Sequence, residues 1–228
     1  MEEFLLPMIA GLTLGSLHAF DADHVTAVSV FVSHNPQPRR AMMFGVRWAL
    51  GHTATLFVFG LLAISLKLVV TPFMQMMAEI GVGLMLIVIG AWGINNLVRQ
   101  QRIHTHRHIH DGVEHVHFHS HAERSDHHHE HSIFMIGAAH GFAGTAAVLV
   151  VIPITVVSSL VSASLYILLF GVGTMIAMAT FASLLGSVAC AVKRTNALLW
   201  IQGVAGAASI GVGCWWIVER VLSINQLF

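Results

Sequence analysis

The sequence predicts an all-α integral membrane protein of about six transmembrane helices, arranged as two inverted three-helix repeats joined by a cytoplasmic histidine-rich loop. Three observations predict it. Of the 228 residues, 56% are hydrophobic and only 10% charged, with a mean hydropathy of +0.76; a soluble domain carries roughly 25% charged residues. Six apolar stretches reach the ~20 residues that a helix needs to cross a bilayer. The hydrophilic residues are concentrated in one segment, 99–132.

The first stretch covers 5–32, and its acidic start, Glu2-Glu3, lacks the basic n-region of a secretory signal, so it is expected to be retained. Pro36 and Pro38 mark the following turn. The second stretch is 42–66, and Pro72 suits the first turn of the third, 73–98. The fourth and fifth, 133–160 and 162–189, are almost continuous, with Ser158, Ser159, Ser162 and Ser164 marking the turn. The sixth is 197–222. Three units follow: a first repeat over 1–98, the loop over 99–132, and a second repeat over 133–228. Cys190 and Cys214 lie in apolar runs and are expected to be buried thiols.

Orientation follows from arginine and lysine. Arg39 and Arg40, then Arg99, Arg102, Arg107 and Arg124, then Lys193 and Arg194 fall in the odd-numbered loops. The positive-inside rule places those loops in the cytoplasm and both termini outside, in a plasma (inner) membrane. Glu79 and Arg220 count with the outer flanks. The repeat rests on three matches: "GSLHAFDA" from Gly15 with "GAAHGFAG" from Gly137, "FGV" at Phe44 and Phe170, and "GAWGI" from Gly90 with "GCWWI" from Gly213. An odd number of helices per copy inverts the second copy, the plan of secondary transporters with a substrate site between the halves.

The stretch "LHAFDADHV", 17–25, sets His18, Asp21, Asp23 and His24 inside the first crossing. An ionisable group at a helix centre costs about 2.5–3.5 kcal/mol on insertion scales, so four together read as functional. At 100° per residue one straight helix cannot aim all four at one point. The helix bends here, or other helices complete the site. His52 in the second stretch and His140 in the fourth lie at similar depth. Imidazoles with carboxylates suit nickel, cobalt, zinc or copper rather than magnesium or calcium. Asp21 reads equally as a ligand or as the partner that orients an imidazole.

Twelve histidines fall between His104 and His131. Several alternate with other residues, which in extended form puts the imidazoles at 104, 106, 108 and 110 on one face. Such tracts bind metal, and release it below about pH 6 as the rings protonate. Equal numbers of basic and acidic residues leave no nucleic-acid footprint. No H-E-x-x-H, G-x-S-x-G or ATP-binding loop is present, so no enzyme and no prosthetic group is expected.

His18-Ala-Phe-Asp-Ala-Asp23-His24 is similar to the H-x4-D-H signature of the nickel/cobalt transporter (NiCoT) family, and Leu50-Gly51-His52-Thr53 resembles its second signature. Six spans and His140-Gly141-Phe142-Ala143-Gly144 resemble the short, urease-accessory-like branch. The longer members carry acidic residues where this chain has Ala143 and Ala147. The resemblance implies uptake of Ni2+ or Co2+, delivered to urease, hydrogenase or cobalamin, with room for a cytoplasmic metallochaperone. Related exporters end their first motif in glycine-histidine, so Asp23 points to uptake; the alternative is nickel/cobalt or Zn2+ efflux with the loop as sensor.

Overall fold

The computed structural model describes residues 2–66, 71–101, 106–110, 113–117, 133–143 and 159–224. Their elements are helices α1 (Glu2–His18), α2 (Ala22–His34), α3 (Pro38–Ser65) and α4 (Pro72–Gln101), strands β1 (His106–His110) and β2 (Val113–His117), then α5 (Ile133–Ala143), α6 (Leu160–Ala191) and α7 (Asn196–Ile224). α3, α4, α6 and α7 are each long and apolar enough to cross a membrane, and α1 with α2 makes a fifth crossing bent by 54°. The chain is a multi-pass membrane protein.

The bend that was one of the two expectations for the first stretch, 5–32, is present. The helix breaks at Ala19–Asp21, where the amides of Ala19, Phe20 and Asp21 turn back onto Gly15, Leu17 and His18 carbonyls. Of the expected fourth crossing, 133–160, α5 is the described part, and 144–158 lies outside the described residues. The other boundaries follow their local signals. Pro38 and Pro72 open α3 and α4. Ser159 caps α6 by accepting from the Ser162 amide at 3.2 Å, within the serine cluster that marked the turn. Part of the histidine segment is a hairpin, with His106 opposite His117 and His108 opposite His115; 102–105, 111–112 and 118–132 lie outside the described residues. The cysteine expectation fails, since Cys190 is half-buried and Cys214 exposed.

Lipid tails give apolar helices no hydrophobic reason to associate, so close backbone contact at small residues takes over. α6 packs between α1 and α3, α4 pairs with α7, and α2 lies against α4, α6 and α7. A Cβ on Gly45 of α3 would sit 3.1 Å from Ala179, eight residues after Gly171; one on Gly171 would collide with Thr53, eight residues after Gly45. Gly90 meets Gly206, seven residues before Gly213, and Gly213 meets Gly83, seven before Gly90. These contacts are reciprocal between the matched segments. Polar ties reinforce them: the Thr174 hydroxyl lies 2.9 Å from the Gly15 carbonyl, and Ser209 donates to Leu86 O at 2.8 Å. Large apolar side chains such as Leu84, Val88, Leu184, Val204 and Trp215 remain exposed, as a lipid-facing surface requires.

Candidate metal centre

The break between α1 and α2 creates the centre. His18 ends α1, Asp21 takes the N-cap position of α2 in an extended conformation, and Asp23 and His24 occupy the first turn of α2. Asp21 makes no side-chain cap bond. Its carboxylate instead accepts from His18 Nδ1 at 2.7 Å. The 54° bend turns His24 back toward His18, and their Nε2 atoms stand 3.1 Å apart. His52, midway along α3, places its Nε2 3.3 Å from that of His18.

The spacing carries chemical information. With Nδ1–H committed to Asp21, neutral His18 has only a lone pair at Nε2. Lone pairs facing each other repel unless a proton or a cation lies between them. Metal–imidazole bonds of about 2.0–2.1 Å put adjacent ligand nitrogens about 2.9–3.4 Å apart, from octahedral to tetrahedral geometry. The two observed separations fall in that range.

A second group adjoins the first. His140 of α5 donates from Nε2 to Asp23 Oδ2 at 2.8 Å, and its ring stacks on His24 with centroids 4.4 Å apart. Among the described residues two triads could hold an ion, His18–His24–His52 and Asp23–His24–His140, and they share His24. Asp23, His24, His52 and His140 are buried, whereas His18 is partly accessible and Asp21 is 56% exposed. Asp23 Oδ1 and the Nδ1 atoms of His24, His52 and His140 have no hydrogen-bond partner among the described residues. Buried polar atoms without partners are expensive, and a cation bound beside Asp23 would satisfy its free Oδ1. The six residues read from the sequence thus lie together, with Asp21 hydrogen-bonded to His18.

Close helix contact sets this geometry. A Cβ on Gly141, next to His140, would lie 2.5 Å from the His52 carbonyl, and Phe170 packs its ring 5.2 Å from that of His18. A cavity of about 390 Å³ opens from the cluster, lined by His18, Asp21, Asp23, His52 and His140. Glu79 and Arg220 line it as well. Glu79 stands seven residues into α4 and Arg220 four residues before the end of α7. Their signal in the sequence is the cost of any charge within an apolar span.

A family profile described as "Cytochrome C biogenesis protein transmembrane region" matches residues 9–215. The urease accessory protein UreH of Bacillus sp. (strain TB-90) is 34% identical over 81% of this chain and 78% of its own length. A "Putative nickel/cobalt efflux system" of Methanocaldococcus jannaschii is 26% identical, over 76% of this chain and 73% of that protein. The Arabidopsis thaliana "Chloroplast protein FOR GROWTH AND FERTILITY 1" is 26% identical over 89% of this chain, which spans only 57% of that protein. No solved structure matches. With a profile across most of the chain and a relative above 30% identity, the protein belongs to the family of this transmembrane profile and, with UreH, to a NiCoT-like family.

Proposed function

We propose that the chain moves Ni2+ or Co2+ across the cytoplasmic membrane, inward, through the centre formed by His18, Asp23, His24, His52 and His140, with Asp21 orienting His18. The observation that carries this reading is the convergence of three imidazole Nε2 atoms, beside a buried Asp–His pair, midway along membrane-crossing helices. Imidazole-rich donor sets favour borderline transition metals over magnesium and calcium. The name of the archaeal relative specifies the same ions. Zn2+ is the competing cargo that this donor set also accepts.

The proposal includes six crossings, with α5 opening the fourth, and two three-helix halves of opposite orientation. The reciprocal Gly45–Ala179 and Gly171–Thr53 contacts support that symmetry. It places the termini outside and the histidine segment inside, where the segment buffers metal at the inner mouth. The experiment is flux of radiolabelled nickel and cobalt, in both directions, in cells expressing the chain. Accumulation that disappears in His24→Ala supports uptake. The name of the archaeal relative favours the reverse direction, and accelerated release from preloaded cells would establish efflux instead. No movement of either ion in either direction would end the transport reading.

A further inference from the structure

The cavity has a second charged end. Arg220 Nε of α7 forms an ion pair with Glu79 Oε2 of α4, and Gln75, one turn earlier on α4, donates to Glu79 Oε1 at 3.1 Å. Glu79 is the more enclosed partner, its side chain 15% exposed against 38% for Arg220. Both residues line the cavity that the histidines line. Glu79 lies seven residues into α4 and Arg220 four residues before the end of α7, whereas His52 stands at the middle of α3. The chain passes from α3 to α4 by residues 66–71. The cavity therefore runs from the histidines at mid-depth toward the membrane surface at which α3 ends and α4 begins.

Fastening α4 to α7 does not require this pair. Gly83–Gly213 and Gly90–Gly206 already bring the two backbones together, and Ser209 bonds Leu86 O across the same contact. Apolar residues there would pack in lipid without the desolvation cost of two charges. What apolar residues could not supply is a charge on the cavity wall. Paired, Glu79 and Arg220 largely cancel for an ion at a distance. Parted, the guanidinium repels a divalent cation and the carboxylate offers it two oxygens.

We propose that Glu79 is an outer station for the divalent cation, held closed by Arg220; this rests on the transport reading above. The arriving ion displaces the guanidinium, rests on the carboxylate, and moves on to the histidines. Carboxylate oxygen is a poorer ligand than imidazole for nickel or cobalt, so the transfer runs downhill. Arg220 then returns to Glu79.

The test compares nickel flux in Glu79→Gln, Arg220→Gln and the double variant, normalised to membrane-inserted protein. Glu79→Gln leaves the guanidinium facing the path without its carboxylate. Its half-saturating nickel concentration is expected to rise about tenfold or more, the scale on which a charged cleft alters local ion concentration. Arg220→Gln should half-saturate at or below the wild-type concentration, and the double variant between the two singles. Equal increases in both singles, or no change in Glu79→Gln, would overturn the station and leave a helix clamp. Should Glu79→Gln fail to insert, Arg220→Gln decides alone, a tenfold rise overturning the proposal and an unchanged or lower value supporting it. A wild type that moves no ion defeats the transport reading and the station with it; wild-type flux with indifferent Glu79 variants defeats the station alone.

Discussion

Asp21 accepts a 2.7 Å hydrogen bond from His18 Nδ1, and so selects Nε2 as the nitrogen that His18 turns toward His24 and His52. An exposed carboxylate on the rim thereby sets the tautomer of a ring that faces the interior. Removing such an orienting partner typically costs about 10–100-fold in metal affinity. Asp21→Ala should raise the half-saturating metal concentration by that factor while transport at saturating metal survives. Complete loss of flux in inserted protein would make Asp21 a ligand instead.

His24 belongs to both triads, so its loss should be the most severe. His24→Ala is expected to abolish flux at every metal concentration tested, with normal membrane insertion. Normal transport at limiting metal would dismiss the centre altogether.

His52 and His140 bring the donors of α3 and α5 to the cluster. X-ray absorption of metal-loaded protein should show several imidazole nitrogens, fewer in His52→Ala and in His140→Ala. His140→Ala should also cost about 3 kcal/mol or more of stability, because it leaves Asp23 buried without its partner. Spectra identical to wild type in both variants would confine the centre to the first motif.

Gly141 lies where a Cβ would meet the His52 backbone. Gly141→Ala should separate α5 from α3, destabilising the protein by about 1–3 kcal/mol as overpacking does. It should weaken metal binding without touching a ligand. A thermal midpoint and a nickel titration unchanged from wild type would show that the contact is slack.

The histidine segment is expected to serve retention rather than permeation. A tract with twelve interchangeable imidazoles imposes no single geometry, and selectivity across the first row depends on geometry. Replacing residues 103–131 by a short linker should preserve flux at saturating metal and reduce cellular retention. The wild-type difference should fade below about pH 6, since protonated imidazole does not bind metal. Loss of flux in an inserted deletion would place the segment in the path.

Much of this was legible because a bilayer makes polarity conspicuous. Each of the six candidate residues interrupts an apolar run, so the sequence alone singles out His52 and His140, which the structure brings beside His18 and His24. The bend was half legible: incompatible angular positions of His18 and His24 required either a break or other helices, and both occur. For Glu79 and Arg220 the chain shows only two charges on the same side; the antiparallel register of α4 and α7, which brings them together on a cavity wall, is not legible in it. The cysteines were misjudged, since an apolar run within lipid need not be a buried one.

The break at Ala19–Asp21 also has an electrostatic consequence. An unbroken helix cancels its peptide dipoles along its length; an interrupted one exposes two ends, each worth roughly half an elementary charge. The negative end of α1 meets the centre at His18, and the positive end of α2 is covered by Asp21 and Asp23. Part of the attraction for a cation therefore belongs to the main chain, where side-chain substitution cannot reach it. With residues 103–131 replaced by a short linker, the nickel binding left in a variant lacking both His18 and His24 should weaken further when the helix is made continuous.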